Sequence, residues 1–195
     1  MKTRVLGNRK KQSGLVLIVA IVLLAIVSVL AAFTTRNAAS TEAVSGNVRL
    51  TELATQAAEL ALRHCEQSVA RVITEAAGGT PPSPLYPTDF TEAHILPAGS
   101  ESNWESPGVW DSVTPHVYVL PLAKMNQPGL TVTYKRPPEC MVARVPTQLA
   151  SGAMSTQTLF VITARGFGPE VPAADLVRSR PVGSEVWLQS HIELQ

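Results

Sequence analysis

Apolar and polar positions divide the chain into three stretches. Leu15 to Phe33 is apolar throughout except for Ser28. At about 1.5 Å per residue, a helix over these nineteen positions spans roughly 28 Å, close to the ~30 Å hydrocarbon thickness of a bilayer. From Thr34 to Ala77 there is no proline and one glycine, Gly46. Apolar residues here recur at helical spacing: Ala43, Val44 and Val48, then Leu50, Leu53, Ala57, Leu60 and Ala61, then Val69, Val72 and Ile73. No breaker separates the two stretches, so the pattern predicts one helix of about sixty residues. Its weak point is Gly46-Asn47, since glycine costs about 1 kcal/mol against alanine inside a helix. Glu59 and Arg63 stand at i,i+4 with Glu66 beyond, marking a face that is solvated or meets a partner. Gly78-Gly79, followed by Pro81, Pro82 and Pro84, stops the helix.

The third stretch changes period. Residues 80–128 are rich in Pro, Ser, Gly and Thr, with Trp104 and Trp110 interspersed. They predict an irregular connection with a short strand or helical turn, long enough to be a candidate for subunit contacts. Beyond it come strand patterns at His116–Leu120 (limited by Pro121), Leu130–Tyr134 after the Pro128-Gly129 turn, Met141–Val145, Leu159–Arg165 and Glu185–Glu193. The last alternates cleanly, with Val186, Leu188, Ser190 and Ile192 on one face. The predicted class is α+β: a long N-terminal helix, membrane-spanning in its first half, packed on a C-terminal antiparallel sheet.

Charge sets the orientation. Lys2, Arg4, Arg9, Lys10 and Lys11 precede the apolar run, and no acid appears before Glu42. Basic residues at that end keep it in the cytoplasm and send the bulk of the chain across. The net charge of +1 hides an asymmetry: without those five basic residues the remainder is near −4. An acidic exported domain with scattered basic residues, Lys135-Arg136 the one adjacent pair, argues against nucleic acid. A cleaved secretory signal is the competing reading, with Ala31-Ala32 or Ala38-Ala39 as cleavage sites, but signal cores usually run about 7–15 residues. Two cysteines, Cys65 and Cys140, read as a disulfide in an oxidising compartment, with two buried thiols as the alternative. By chain entropy a loop of about 75 residues is worth roughly 4 kcal/mol.

No enzyme constellation stands out. His64, His94, His116 and His191 lie far apart, and neither a nucleophile elbow nor a phosphate-binding glycine loop occurs. Asp89 with Glu92, or Glu101 with Glu105, could be paired carboxylates or calcium ligands, but no loop of alternating oxygen donors surrounds them. Trp104, Trp110 and Trp187 read as core or interface anchors before a carbohydrate platform. The expectation is a non-enzymatic protein without cofactor or metal.

Certain residues carry a family resemblance. Gly14 before Leu-Val-Leu-Ile-Val-Ala-Ile-Val-Leu-Leu resembles a prepilin signal. Glu42–Asn47 and Thr55–Arg63, with Glu66 beyond, resemble the N-terminal signature of PilX-type minor pilins, and Ile162–Gly166 and Val186–Ser190 loosely resemble its closing strands. The resemblance implies a type IV pilin-like fold and cleavage by prepilin peptidase between Gly14 and Leu15, with N-methylation of Leu15. Residues 1–14 would then be the leader, 15–33 the membrane helix, 34–77 the stem and 78–195 the β-rich domain. It further implies an inner-membrane protein, facing the periplasm, that joins other minor pilins, the major pilin and often a large tip adhesin in a pilus serving adhesion and twitching. One departure matters: most pilins carry glutamate at the fifth mature position, which here is Val19. That fits a subunit with no neighbour above it, and is shared by the tip pseudopilins of type II secretion. The remaining alternative is a membrane-anchored periplasmic binding module.

Overall fold

A single helix, α1 (Ser13–Ala76), occupies 64 residues of the computed structural model. Residues 13–100, 102–112, 117–129, 131–146 and 158–194 are described; expectations for the leader before Ser13 and for Glu101, His116 and Leu130 fall outside them. The chain divides between Gly46 and Asn47 into two units. In the first, the helix is exposed on every described side. Its hydroxyls are satisfied by its own backbone: Ser28 Oγ donates to the Leu24 carbonyl (2.7 Å), and Thr34 to that of Ala31 (2.9 Å).

In the second unit α1 becomes one-faced. Ala54, Ala57, Ala58, Ala61, Cys65, Ser68, Val69 and Val72 are buried at helical spacing, while Glu59, Leu60 and Arg63 remain exposed. The helix ends in paired turn bonds, Gly78 N–H to Glu75 O and Gly79 N–H to Thr74 O (both 2.9 Å), with Gly78 at φ +76°. That left-handed position favours glycine.

The sheet contains β1 (Ile95–Leu96), β2 (Tyr118–Val119), β3 (Glu139–Val145), β4 (Thr158–Phe167) and β5 (Glu185–Leu194). β3, β4 and β5 are antiparallel neighbours, with Ile162 opposite both Val142 and Ser190. β2 pairs antiparallel with β3, but β1 pairs with it parallel, so the sheet is mixed and not wholly antiparallel. Phe90, Tyr118, Leu120, Cys140, Val142, Phe160, Ile162 and Ala164 meet the small residues of α1 in one core. Gly166 makes the closest approach: a Cβ there would collide with the Ala58 backbone nitrogen and the Ala54 carbonyl oxygen. Arg71 ties the following loop to the helix, donating to the carbonyls of Pro87 and Phe90 (both 2.6 Å).

Two predicted strands differ. Within the described part of the predicted His116–Leu120 strand, the strand covers Tyr118–Val119. Residues 131–134 form no strand, because the Asn126 side chain bonds both Tyr134 backbone groups, accepting from N–H and donating to C=O at 2.8 Å each. A side-chain amide thus takes the place of a neighbouring strand.

Candidate functional site

Three surfaces or clusters could carry function. The first is the apolar helix itself. Leu15 to Phe33 expose their large side chains around the whole circumference, Leu15 at 70% and Val19 at 50%. The segment is long and apolar enough to cross a membrane. An all-round apolar helix needs either lipid or other helices against it. Gly14 and Leu15 lie in its first turn.

The second surrounds the cystine. Cys65 of α1 and Cys140 of β3 form a disulfide, Cα atoms 6.7 Å apart, which staples helix to sheet. Beside it His64 Nε2 lies 3.2 Å from Asp89 Oδ1, and Lys124 Nζ lies 3.0 Å from Asp89 Oδ2. The His64 ring stacks on Tyr118 with centroids 5.5 Å apart. Burial, then the Lys124 charge, lower the His64 pKa despite Asp89. Burial pushes Asp89 up, but hydrogen bonds from Tyr118 and Lys124 outweigh it and the net shift is downward. Burial and Asp89 together raise the Tyr118 phenol.

The third lies on the other side of the sheet. Arg165 is 1% exposed, and its Nη2 donates to Asp111 Oδ1 and Glu139 Oε2, both at 2.8 Å. Arg178 Nη2 donates to Glu139 Oε1 at 2.6 Å, while Arg136 Nη2 lies 3.5 Å from Asp111 Oδ1 and Arg165 Nη1 3.5 Å from Glu185 Oε1. The Arg165 guanidinium sits 5.0–5.4 Å from the ring centres of Phe167, Trp110 and Trp187. Burial alone lowers the Arg165 pKa, yet Asp111 and Glu139 reverse that and raise it. Arg136 is lowered, by burial and by its like-charged neighbours, against the pull of Glu139 and Asp111. The cluster knits β3, β4, β5, the short helix α2 (Pro107–Trp110) and the loop through Arg178 into one outer layer.

Of the paired carboxylates suggested by sequence, Asp89 and Glu92 do not converge, and Glu101 of the other pair lies outside the described residues. Asp89 joins His64 and Lys124, whereas Glu92 pairs with Arg144 at 2.9 Å. His94 accepts from the Thr91 N–H at 3.0 Å, and His191 is exposed on β5. Trp110 is buried and Trp187 is 37% exposed. Sequence reasoning missed the arginine cluster, whose six members are spread from Asp111 to Glu185. Its one local signal is a charge, Arg165, ending an otherwise core-like strand pattern.

Residues 13–63 match the family model described as PilX N-terminal, a match that lies wholly within α1. No curated protein and no solved structure matches the chain. PilX-type pilins are structural subunits. The matched segment, the long apolar-to-amphipathic helix and the mixed sheet packed on its second part support a type IV pilus-related pilin of the PilX type.

Proposed function

We propose that the chain is a non-enzymatic minor pilin that primes assembly of a type IV pilus or caps its tip. Residues 1–14 serve as leader, 15–33 as membrane helix, 34–77 as stem and 78–195 as the exported domain. Before assembly the protein sits in the inner membrane, N-terminus inside. Prepilin peptidase cuts between Gly14 and Leu15, and Leu15 is methylated. The observation that carries this reading is an apolar helix that packs against nothing else among the described residues, within a segment that matches the PilX N-terminal model. In the membrane lipid covers it; in a filament the helices of other minor pilins and the major pilin replace that lipid. A large adhesin above the tip fits the same position.

Val19 supports a terminal place. A carboxylate in hydrocarbon costs several kcal/mol unless paired, so a pilin keeps one where a neighbour's terminal amine waits. This chain has valine there. The same feature favours a second reading, a tip pseudopilin of a type II secretion system.

The decisive measurement is the mature N-terminus, by intact mass, with and without prepilin peptidase. Cleavage is expected to leave Leu15 first and one methyl heavier, and a bulky residue at Gly14 to block it. An uncut chain, or cleavage near Ala32 or Ala39, would overturn the pilin reading and favour an anchored binding module. Loss of twitching on deletion separates pilus from secretion machine, for which secretion would fail instead.

A further inference from the structure

We propose that the outer face of β5 carries a binding groove for a neutral carbohydrate. Two hollows, of about 270 and 260 Å³, share Trp104 and Glu105 as walls and so join into one groove. Arg180 and Trp187 complete one end, and Gln189 and His191 the other. Each hollow lies just below the about 300–1,000 Å³ of typical ligand pockets, and suits a single sugar ring better than a larger ligand. Strand alternation produces the floor: Val186, Leu188, Ser190 and Ile192 are half-buried, while Trp187, Gln189 and His191 are exposed on the opposite face.

The groove differs from its surroundings in leaving polar groups unused. Among the described residues, the indole N–H groups of Trp104 and Trp187, the Glu105 carboxylate, the Arg180 guanidinium and the His191 ring make no hydrogen bond or ion pair. Gln189 donates to Thr163 Oγ1 at 2.9 Å, which leaves its amide oxygen as an acceptor. The platform is nonetheless fixed from behind. Trp187 meets Trp110 edge-to-face at 4.8 Å, and the Trp110 indole donates to the Trp104 carbonyl at 3.0 Å.

The donor set selects the ligand class. Indole faces stack on the C–H face of a pyranose, and planar amide, carboxylate and guanidinium groups bridge neighbouring hydroxyls. Glu105 repels an anion and Arg180 a cation, and since they are not paired with each other, an uncharged polyol satisfies both. A peptide strand would instead use the backbone edge of β5 that no other described strand pairs with, which leaves these face-borne side chains unexplained. The inference concerns residues 102–191 alone and does not depend on the pilus role.

The test uses the full chain in phospholipid nanodiscs, which avoids sugar detergents. Tryptophan fluorescence and saturation-transfer NMR would be recorded against methyl glucoside, galactoside and mannoside, methyl N-acetylglucosaminide, lactose and cellobiose. At least one probe is expected to bind saturably. Arg180→Ala and Glu105→Gln, both exposed, are each expected to weaken it about tenfold with the melting temperature unchanged, the loss of one charged hydrogen bond. Trp187→Phe should retain part of the affinity and Trp187→Ala none. No saturable response to any of the six sugars, or affinity unchanged in both Arg180→Ala and Glu105→Gln, would overturn the proposal.

Discussion

Toward α1, β4 presents Phe160, Ile162, Ala164 and Gly166; toward the outer loops it presents Val161, Thr163, Arg165 and Phe167. Both rows are buried, yet they are held by different physics. The helix side is a fit of small against large: alanines on α1, aromatic and branched residues on the sheet, and a backbone approach that only Gly166 permits. The outer side is a web of three arginines and three carboxylates between aromatic rings. Area and shape set the strength of the first. The second depends on every charge keeping its partner, because burial removes the water that would otherwise replace one.

That difference predicts the largest single effect at Arg165. Arg165→Met fills much of the same space but strips Asp111 of its closest cation and Glu139 of one of its two, at an expected cost of about 3–5 kcal/mol. For a domain of this size the melting temperature should fall by roughly 10 °C. Arg165→Lys should recover little, since an ammonium cannot reproduce the two-pronged contacts. A melting temperature within a degree or two of wild type would mean that the rings, not the charges, hold the outer layer.

On the helix side the covalent staple comes next. The Cys65–Cys140 bond closes a separation of 75 residues, for which chain entropy predicts about 4 kcal/mol, with measured values commonly about 2–4. Cys65→Ala with Cys140→Ala should lower the denaturant midpoint, and wild type in reductant should converge on the same value. Reduction that leaves wild type unchanged would show that packing alone fixes the helix.

The two sides also differ in how far they can be read from sequence. The helix side announces itself: Ala54 to Val72 keep a 3.6-residue period, Gly78-Gly79 mark its end, and β5 alternates openly. The outer side hides, because Asp111, Arg136, Glu139, Arg165, Arg178 and Glu185 show no spacing and meet only when five segments converge. The short strands hide for another reason. Ile95–Leu96 is two residues long and pairs parallel, which no local pattern encodes, and Asn126 satisfies Tyr134 without a strand. The apolar run before Phe33 was the plainest signal, since a period-free stretch of that length has few other uses.

Gly166→Ala isolates the helix-side fit from its chemistry. The new methyl would strike backbone atoms of Ala54 and Ala58, so no side-chain rotation relieves it, and the cost should sit near the top of the about 1–3 kcal/mol range for overpacking. Because the collision is with backbone, adding Ala58→Gly should not rescue stability. Rescue would place the contact on the Ala58 methyl instead.

The smallest effect concerns pH and the polar group beside the staple. The His64 pKa is lowered from 6.5, so the unfolded chain binds more protons than the folded one near that value. Stability from this source is present above pH 6.5 and declines as pH falls toward the folded value. The Asp89 pKa is lowered from 3.8, so its contribution holds above that value and is lost only at lower pH. His64→Gln should therefore flatten the stability profile between pH 7 and 5 while leaving most of the acid limb below pH 4 in place. Asp89→Asn should weaken the acid limb and, by removing the carboxylate that raises the His64 pKa, steepen the profile between pH 7 and 5. Unfolding midpoints measured at fixed ionic strength across that range separate the two. An Arg165→Met variant that keeps the wild-type slope between pH 7 and 5 would show that the helix side titrates independently of the outer charge web, as the sheet between them requires.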